Sequence, residues 1–131
     1  MKIAVDTNVL VRAAVRDDLE QSRIAARILK EAQLIAISSV ALCEFVWVLR
    51  RLYEFSTPEI VSSIRVLLNT AKVEMNRPAV EMGLAVLEVG GDFADGIIAY
   101  EGQWLGGETF VSFDKQAVML LRKHGQTARL L

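Results

Sequence analysis

The stretch Met1-Lys2-Ile3-Ala4-Val5-Asp6-Thr7-Asn8-Val9-Leu10 decides how the chain is read. Ile3-Ala4-Val5 is a short, β-branched-rich apolar run that stops at Asp6-Thr7-Asn8. Beyond it Val9, Leu10, Ala13 and Ala14 recur at helical spacing, with Arg12 and Arg16 on another face. The pattern predicts a fully buried strand running into a helix, with a carboxylate at the carboxyl end of the strand. In open α/β sheets ligands bind outside that end. Asp6 taken alone reads as a helix N-cap. Three further acids in similar settings give it a second reading.

Working outward, alternating strands and helices continue to the end. Asp18 and Gln21 have the spacing of a capping box, and Ile24, Ala25, Ile28, Leu29 and Ala32 form the stripe of a second helix. Leu34–Ile37 is a second buried strand, punctuated by Ser38-Ser39. The helix from about Val40 to Tyr53 is apolar on nearly every face, which predicts that it is buried. Glu44 lies inside it, where an unpaired carboxylate would cost several kcal/mol, of the order of a buried unmatched polar group. A metal, a water-filled cleft or an arginine such as Arg12 or Arg50 must receive it.

Thr57-Pro58-Glu59 predicts an N-cap, a proline at N1 and an acid in the first turn of another helix, whose stripe is Ile60, Val61, Ile64, Leu67 and Leu68. That stripe, with Trp47, Tyr53 and Phe55, reads as core before partner surface. Val73-Glu74-Met75 is a strand or connector. The next helix starts at Asn76 and Pro78 and ends at Gly90-Gly91. Asp92-Phe93-Ala94-Asp95 opens a helix to about Trp104, and its two acids, three apart, share a face. Thr109–Phe113 is the next strand, Asp114 ends it and caps Lys115–His124, and Thr127–Leu131 is the last strand. The whole predicts one domain, residues 1–131, built as a parallel α/β sheet with helices on both faces.

Composition narrows the class. The apolar share is 53% and the mean hydropathy +0.33, slightly rich for a soluble monomer, which points to an oligomer or partner interface. The net charge of −1 supplies no global basic field, so any nucleic-acid binding must be local. A single cysteine, Cys43, has no internal disulfide partner and reads as a small core residue in a reducing cytoplasm. Asp6 and Arg12 interrupt the N-terminal apolar run, against a signal peptide. No window of about 20 apolar residues suits a membrane span, and Val40–Leu49 is too short and holds Glu44.

Glycine-rich phosphate loops are absent. The only histidine, His124, ends a polar helix and reads as an ordinary surface residue, so no general base is at hand for a serine or cysteine nucleophile. What remains is acidic: Asp6, Glu44, Asp95 and Asp114, with Asp92 close by. Carboxylates without histidine or thiolate suit a hard divalent cation, Mg²⁺ or Mn²⁺. Such ions activate water and neutralise a phosphodiester. Thr7, Asn8 and Ser112 sit beside the acids and suit a bound water or a phosphate oxygen.

The segments Ile3–Leu10, Glu44 in its helix, Asp92-Phe93-Ala94-Asp95 and Val111-Ser112-Phe113-Asp114 together resemble the PIN-domain pattern, most closely that of VapC-type toxins of type II toxin–antitoxin systems. The resemblance spans nearly the whole chain. It implies a five-stranded parallel sheet and a metal-dependent ribonuclease whose four acids fall on Asp6, Glu44, Asp95 and Asp114, with Ser112 as the hydroxyl before the last acid. Asp92 falls on a position that is often acidic. Gly96 stands where alanine is more usual, an exchange that weakens a helix by up to about 1 kcal/mol. A homodimer and a small antitoxin packing into the active-site groove are implied as well.

On this reading the four acids hold one or two Mg²⁺ or Mn²⁺ ions against a phosphodiester of single-stranded or looped RNA. Arg12 and Arg16, or Arg50, Arg51, Lys115 and Lys123, are the candidate RNA contacts. Two alternatives stand beside it. One is a PIN-like RNA- or protein-binding module without catalysis, against which the intact acid set speaks. The other is a phosphatase with Asp6 as nucleophile, which usually wants a second acid where this chain has Asn8.

Overall fold

Seven helices and five short strands alternate along the chain in the computed structural model, which describes every residue, 1–131. They group into two compact units, Met1–Asn76 and Arg77–Leu131.

The first unit contains β1 (Lys2–Ala4), α1 (Thr7–Ala14), α2 (Leu19–Glu31), β2 (Leu34–Ala36), α3 (Ser39–Arg51), α4 (Thr57–Leu68) and β3 (Val73–Glu74). The strands form a parallel sheet in the order β1-β2-β3, with Ile3 opposite Ile35 and Ile35 opposite Val73. The ladder runs on past the strand ends, because Val5 N donates to Ala36 O at 3.2 Å and Ile37 N to Glu74 O at 2.9 Å. Ile35 and Val73 are buried, as are Leu10, Leu42, Phe45, Leu49, Ile60 and Ile64 from the helices.

Several expectations change here. β1 is not fully buried: Ala4 is exposed and Ile3 and Val5 are half-buried, because β1 lies at the edge of its sheet with β2 on one side. Nor is α3 buried all round. Leu42, Phe45, Val46 and Leu49 face inward, whereas Val40 and Trp47 are 69% and 57% exposed. A helix of that composition with one apolar stripe in solvent agrees with the apolar excess of the sequence. Tyr53 and Phe55 are half-buried, and Cys43 is half-buried and in no disulfide.

The caps are also more specific than their spacing. Asp18 accepts from Gln21 N at 3.0 Å, but the Gln21 side chain receives Arg12 Nε instead of closing a reciprocal box. On α4 the cap is Ser56, one residue before the expected Thr57. Ser56 Oγ accepts from Glu59 N and Glu59 Oε1 accepts from Ser56 N, a full capping box. Those bonds hold the Glu59 carboxyl below its ordinary range, the backbone donor most of all.

The second unit contains α5 (Arg77–Glu88), α6 (Phe93–Trp104), β4 (Phe110–Ser112), α7 (Lys115–Lys123) and β5 (Ala128–Leu130). β4 and β5 pair in parallel, Phe110 opposite Ala128 and Ser112 opposite Leu130. Val86, Ala99, Val118, Leu120, Leu121 and Ala128 form its core, with Met82 and Phe110 packed against them. The protein is thus α/β with parallel strands, arranged as a three-stranded and a two-stranded sheet where one five-stranded sheet was expected. Alternation in a sequence sets strand direction, but which edges meet is a matter of long-range pairing.

Gly83 and Gly96 bring α5 and α6 into close approach. A Cβ on Gly96 would lie 2.7 Å from both Gly83 Cα and Met82 O, and one on Gly83 would lie 2.8 Å from the Phe93 ring. The glycine next to Asp95 is therefore a packing requirement of this helix pair, and its cost in helix propensity is offset by contact.

Candidate active site

Each unit carries its own group of acids. In the first, Asp6 follows β1 in extended conformation and caps α1, its Oδ1 accepting from Thr7 N at 2.7 Å. Thr7 is buried, and its hydroxyl donates to Glu44 Oε2 at 3.1 Å. One residue thus touches both acids, through its backbone at Asp6 and its side chain at Glu44. Asn8 is exposed on the next position.

Glu44 is exposed, contrary to its expected burial among Leu42, Cys43, Phe45 and Val46. Residues on either side of it turn inward at helical spacing and leave position 44 outward, so solvent as well as Thr7 Oγ1 meets the carboxylate. Neither candidate arginine pairs with it. Arg12 binds Asp17 Oδ1 at 2.7 Å, Gln21 Oε1 at 2.8 Å and Tyr53 Oη at 3.3 Å. Arg50 donates to Thr57 Oγ1 at 2.8 Å and Phe55 O at 3.3 Å.

In the second unit Asp92 caps α6 by accepting from Ala94 N at 3.1 Å. Asp95 follows in the first turn, half-buried. Asp114 ends β4 and caps α7 by accepting from Ala117 N at 3.1 Å, while Ser112 Oγ accepts from Asp114 N at 2.9 Å. Asp95 has the perturbed carboxyl: burial first, then the charges of Asp92 and Asp114, push its pKa up to about 6. The helix macrodipole favours an anion at that place by roughly 0.3–1 kcal/mol. Desolvation and two like charges outweigh it.

All the donors in both groups are oxygen: five carboxylates, the Thr7 and Ser112 hydroxyls and the Asn8 amide. That chemistry fits a hard divalent cation, and a carboxyl lifted by neighbouring anions is the one a cation would return to its charged form. Within neither unit do three acids stand close enough to hold an ion among themselves. His124 takes no part, since its Nδ1 donates to Leu120 O at 2.8 Å at the end of α7.

The candidate RNA contacts divide. Arg16, Arg51, Lys115 and Lys123 are exposed. Arg12 is committed to Asp17 and Tyr53, a network between residues 36 and 41 apart that sequence spacing does not announce. It holds Asp17 below its ordinary range, chiefly through the Tyr53 hydroxyl and then Arg12. A groove of about 470 Å³ between α1 and α2, lined by Asn8, Val9, Arg12, Gln21, Ile24 and Ile28, begins two residues after Asp6.

The protein is a parallel α/β protein whose acids stand at strand ends and in the first or second turns of helices, without histidine among them. The chain belongs to the PIN-domain family, whose model, PIN domain, matches residues 3–120. No curated protein matches it. PIN domains are generally nucleases that act on RNA and use divalent metal ions, and membership supports a nuclease role. No helix is long and apolar enough to cross a membrane.

Proposed function

We propose that the protein is an endoribonuclease dependent on Mg²⁺ or Mn²⁺, with residues 1–131 acting as one catalytic domain. The observation that carries this reading is Asp95, lifted by burial and by two neighbouring carboxylates inside a donor set made of oxygen alone.

Asp6, Glu44, Asp95 and Asp114 would hold the ion or ions, with Asp92, whose charge acts on Asp95, as a further candidate ligand. A bound divalent cation supplies charge neutralisation at the phosphodiester and activation of water. The chain's own residues orient this chemistry. Thr7 aims Glu44 by donating to its Oε2. Ser112 accepts the Asp114 N–H, which leaves its own hydroxyl proton for a phosphate oxygen. Asn8 offers an amide beside Asp6. Arg16, or Arg51, Lys115 and Lys123, neutralises flanking phosphates.

The resemblance to VapC-type toxins extends the proposal to the toxin of a type II pair. Such a toxin acts in the cytoplasm as a homodimer and is neutralised by a small antitoxin. The apolar share of the chain and exposed Val40, Trp47, Trp104 and Leu105 support protein interfaces. Incubation of purified protein with single-stranded RNA tests the enzyme. Cleavage should require Mg²⁺ or Mn²⁺, stop with chelator, and be lost in Asp95→Asn and Asp114→Asn. Cleavage in excess chelator refutes metal dependence, and failure to cleave or bind Mn²⁺ favours a non-catalytic binding module. A small upstream reading frame with a DNA-binding N-terminus would support the toxin role.

A further inference from the structure

Phe113 is 82% exposed, between Ser112 and Asp114. Single apolar side chains on a surface are ordinary, but this one stands on a fixed turn. Leu131 N donates to Ser112 O at 2.9 Å, Ser112 Oγ takes Asp114 N, and Asp114 O and Oδ1 take Val118 N and Ala117 N, both at 3.1 Å. The backbone on both sides of the ring is anchored, so only two side-chain torsions remain to be ordered when something covers it.

We propose that Phe113 is a stacking platform for an unpaired nucleobase of the RNA, and so a substrate-positioning residue that selects single-stranded over duplex substrate. The inference rests on the ribonuclease reading. Carboxylates engage the sugar-phosphate chain and carry no contact to a base. Base recognition in RNA relies on splayed, unstacked bases laid on aromatic side chains. Phe113 presents such a face one residue from Asp114, and exposed Lys115 on the other side of Asp114 supplies a cation for the adjoining phosphate. Aromatic, acid and base thus follow one another in three consecutive positions. Stacking tolerates any base, since each has a π-face. The occupant is therefore single-stranded RNA of no fixed base.

Trp104 is the internal contrast. It is 77% exposed but closes the 12-residue α6 whose first turn carries Asp95, roughly 14 Å away along the helix.

The experiment measures binding by fluorescence anisotropy in the full-length Asp95→Asn protein with Mg²⁺, where cleavage is silenced. The probes are an oligouridylate of about ten nucleotides and an abasic ribose-phosphate chain of the same length. Phe113 should favour the oligouridylate about 5- to 150-fold, the value of one stacked base. Phe113→Ala should remove that preference and leave the abasic chain bound as before. Phe113→Trp should retain it, Phe113→Leu should lose it despite its apolar surface, and Trp104→Ala should change nothing. Melting temperatures check that each variant folds. An unchanged preference in Phe113→Ala, or an equal loss in Trp104→Ala, overturns the proposal. So does a Phe113→Ala variant that loses self-association but keeps its RNA preference, which assigns the ring to a second copy of the chain. Wild-type protein that neither binds nor cleaves RNA refutes the ribonuclease reading itself. Wild type that cleaves while Phe113→Ala binds normally refutes only the platform.

Discussion

Replacing Asp95 by asparagine should stabilise the metal-free protein at neutral pH. The carboxyl stands at an ordinary 3.8 when free and is lifted to about 6 in the fold. The native state therefore holds the proton more tightly than the unfolded chain, and stability falls as pH rises from about 4 through 6. Fully converted, the displacement corresponds to about 3 kcal/mol. Asp95 is only half-buried, and solvent screens its interaction with Asp92 and Asp114, which leaves about 1 kcal/mol. Asparagine keeps the shape and removes the charge. Thermal unfolding without metal should then show the variant melting about 3–5 °C above wild type at pH 7, with the two converging near pH 4. Added Mg²⁺ or Mn²⁺ should raise the wild type by mass action and the variant much less, so that the order narrows or reverses. An Asp95→Asn protein that melts lower than wild type by the same margin at every pH refutes the reasoning. Asp95 would then serve chiefly as a dipole-matched acid in the first turn of α6, with no strain for a cation to relieve.

Gly96→Ala should destabilise the fold despite a gain of about 1 kcal/mol in helix propensity. The new Cβ meets immovable backbone of Gly83 and Met82, an overpacking cost of about 1–3 kcal/mol; a rise in the denaturant midpoint would contradict the close approach of α5 and α6. Tyr53→Phe removes the hydroxyl that donates to Asp17 at 2.9 Å and accepts from Arg12. An NMR titration should show the Asp17 carboxyl rising toward its ordinary range. Because a depressed carboxyl stabilises at pH values above its unfolded pKa, the variant should lose stability at neutral pH and approach wild type under acid conditions.

Much of this protein is legible in its sequence. The order of strands and helices follows from local periodicity and from caps at Asp18, Asp92 and Asp114, which depend on neighbours within three or four residues. The oxygen-only acid set, and with it the kinship to PIN domains, resides in residue types and spacing. Tertiary structure decided what depends on distant partners. It turned Glu44 outward and gave it the Thr7 hydroxyl, 37 positions away. It tied Arg12 to Asp17 and Tyr53, and it left β1 at a sheet edge. Gly96 shows the difference most clearly. Propensity scales mark it as a weak point of a helix, because they count only the backbone freedom of one residue; the fold makes it the one side chain small enough for Gly83 to lie against.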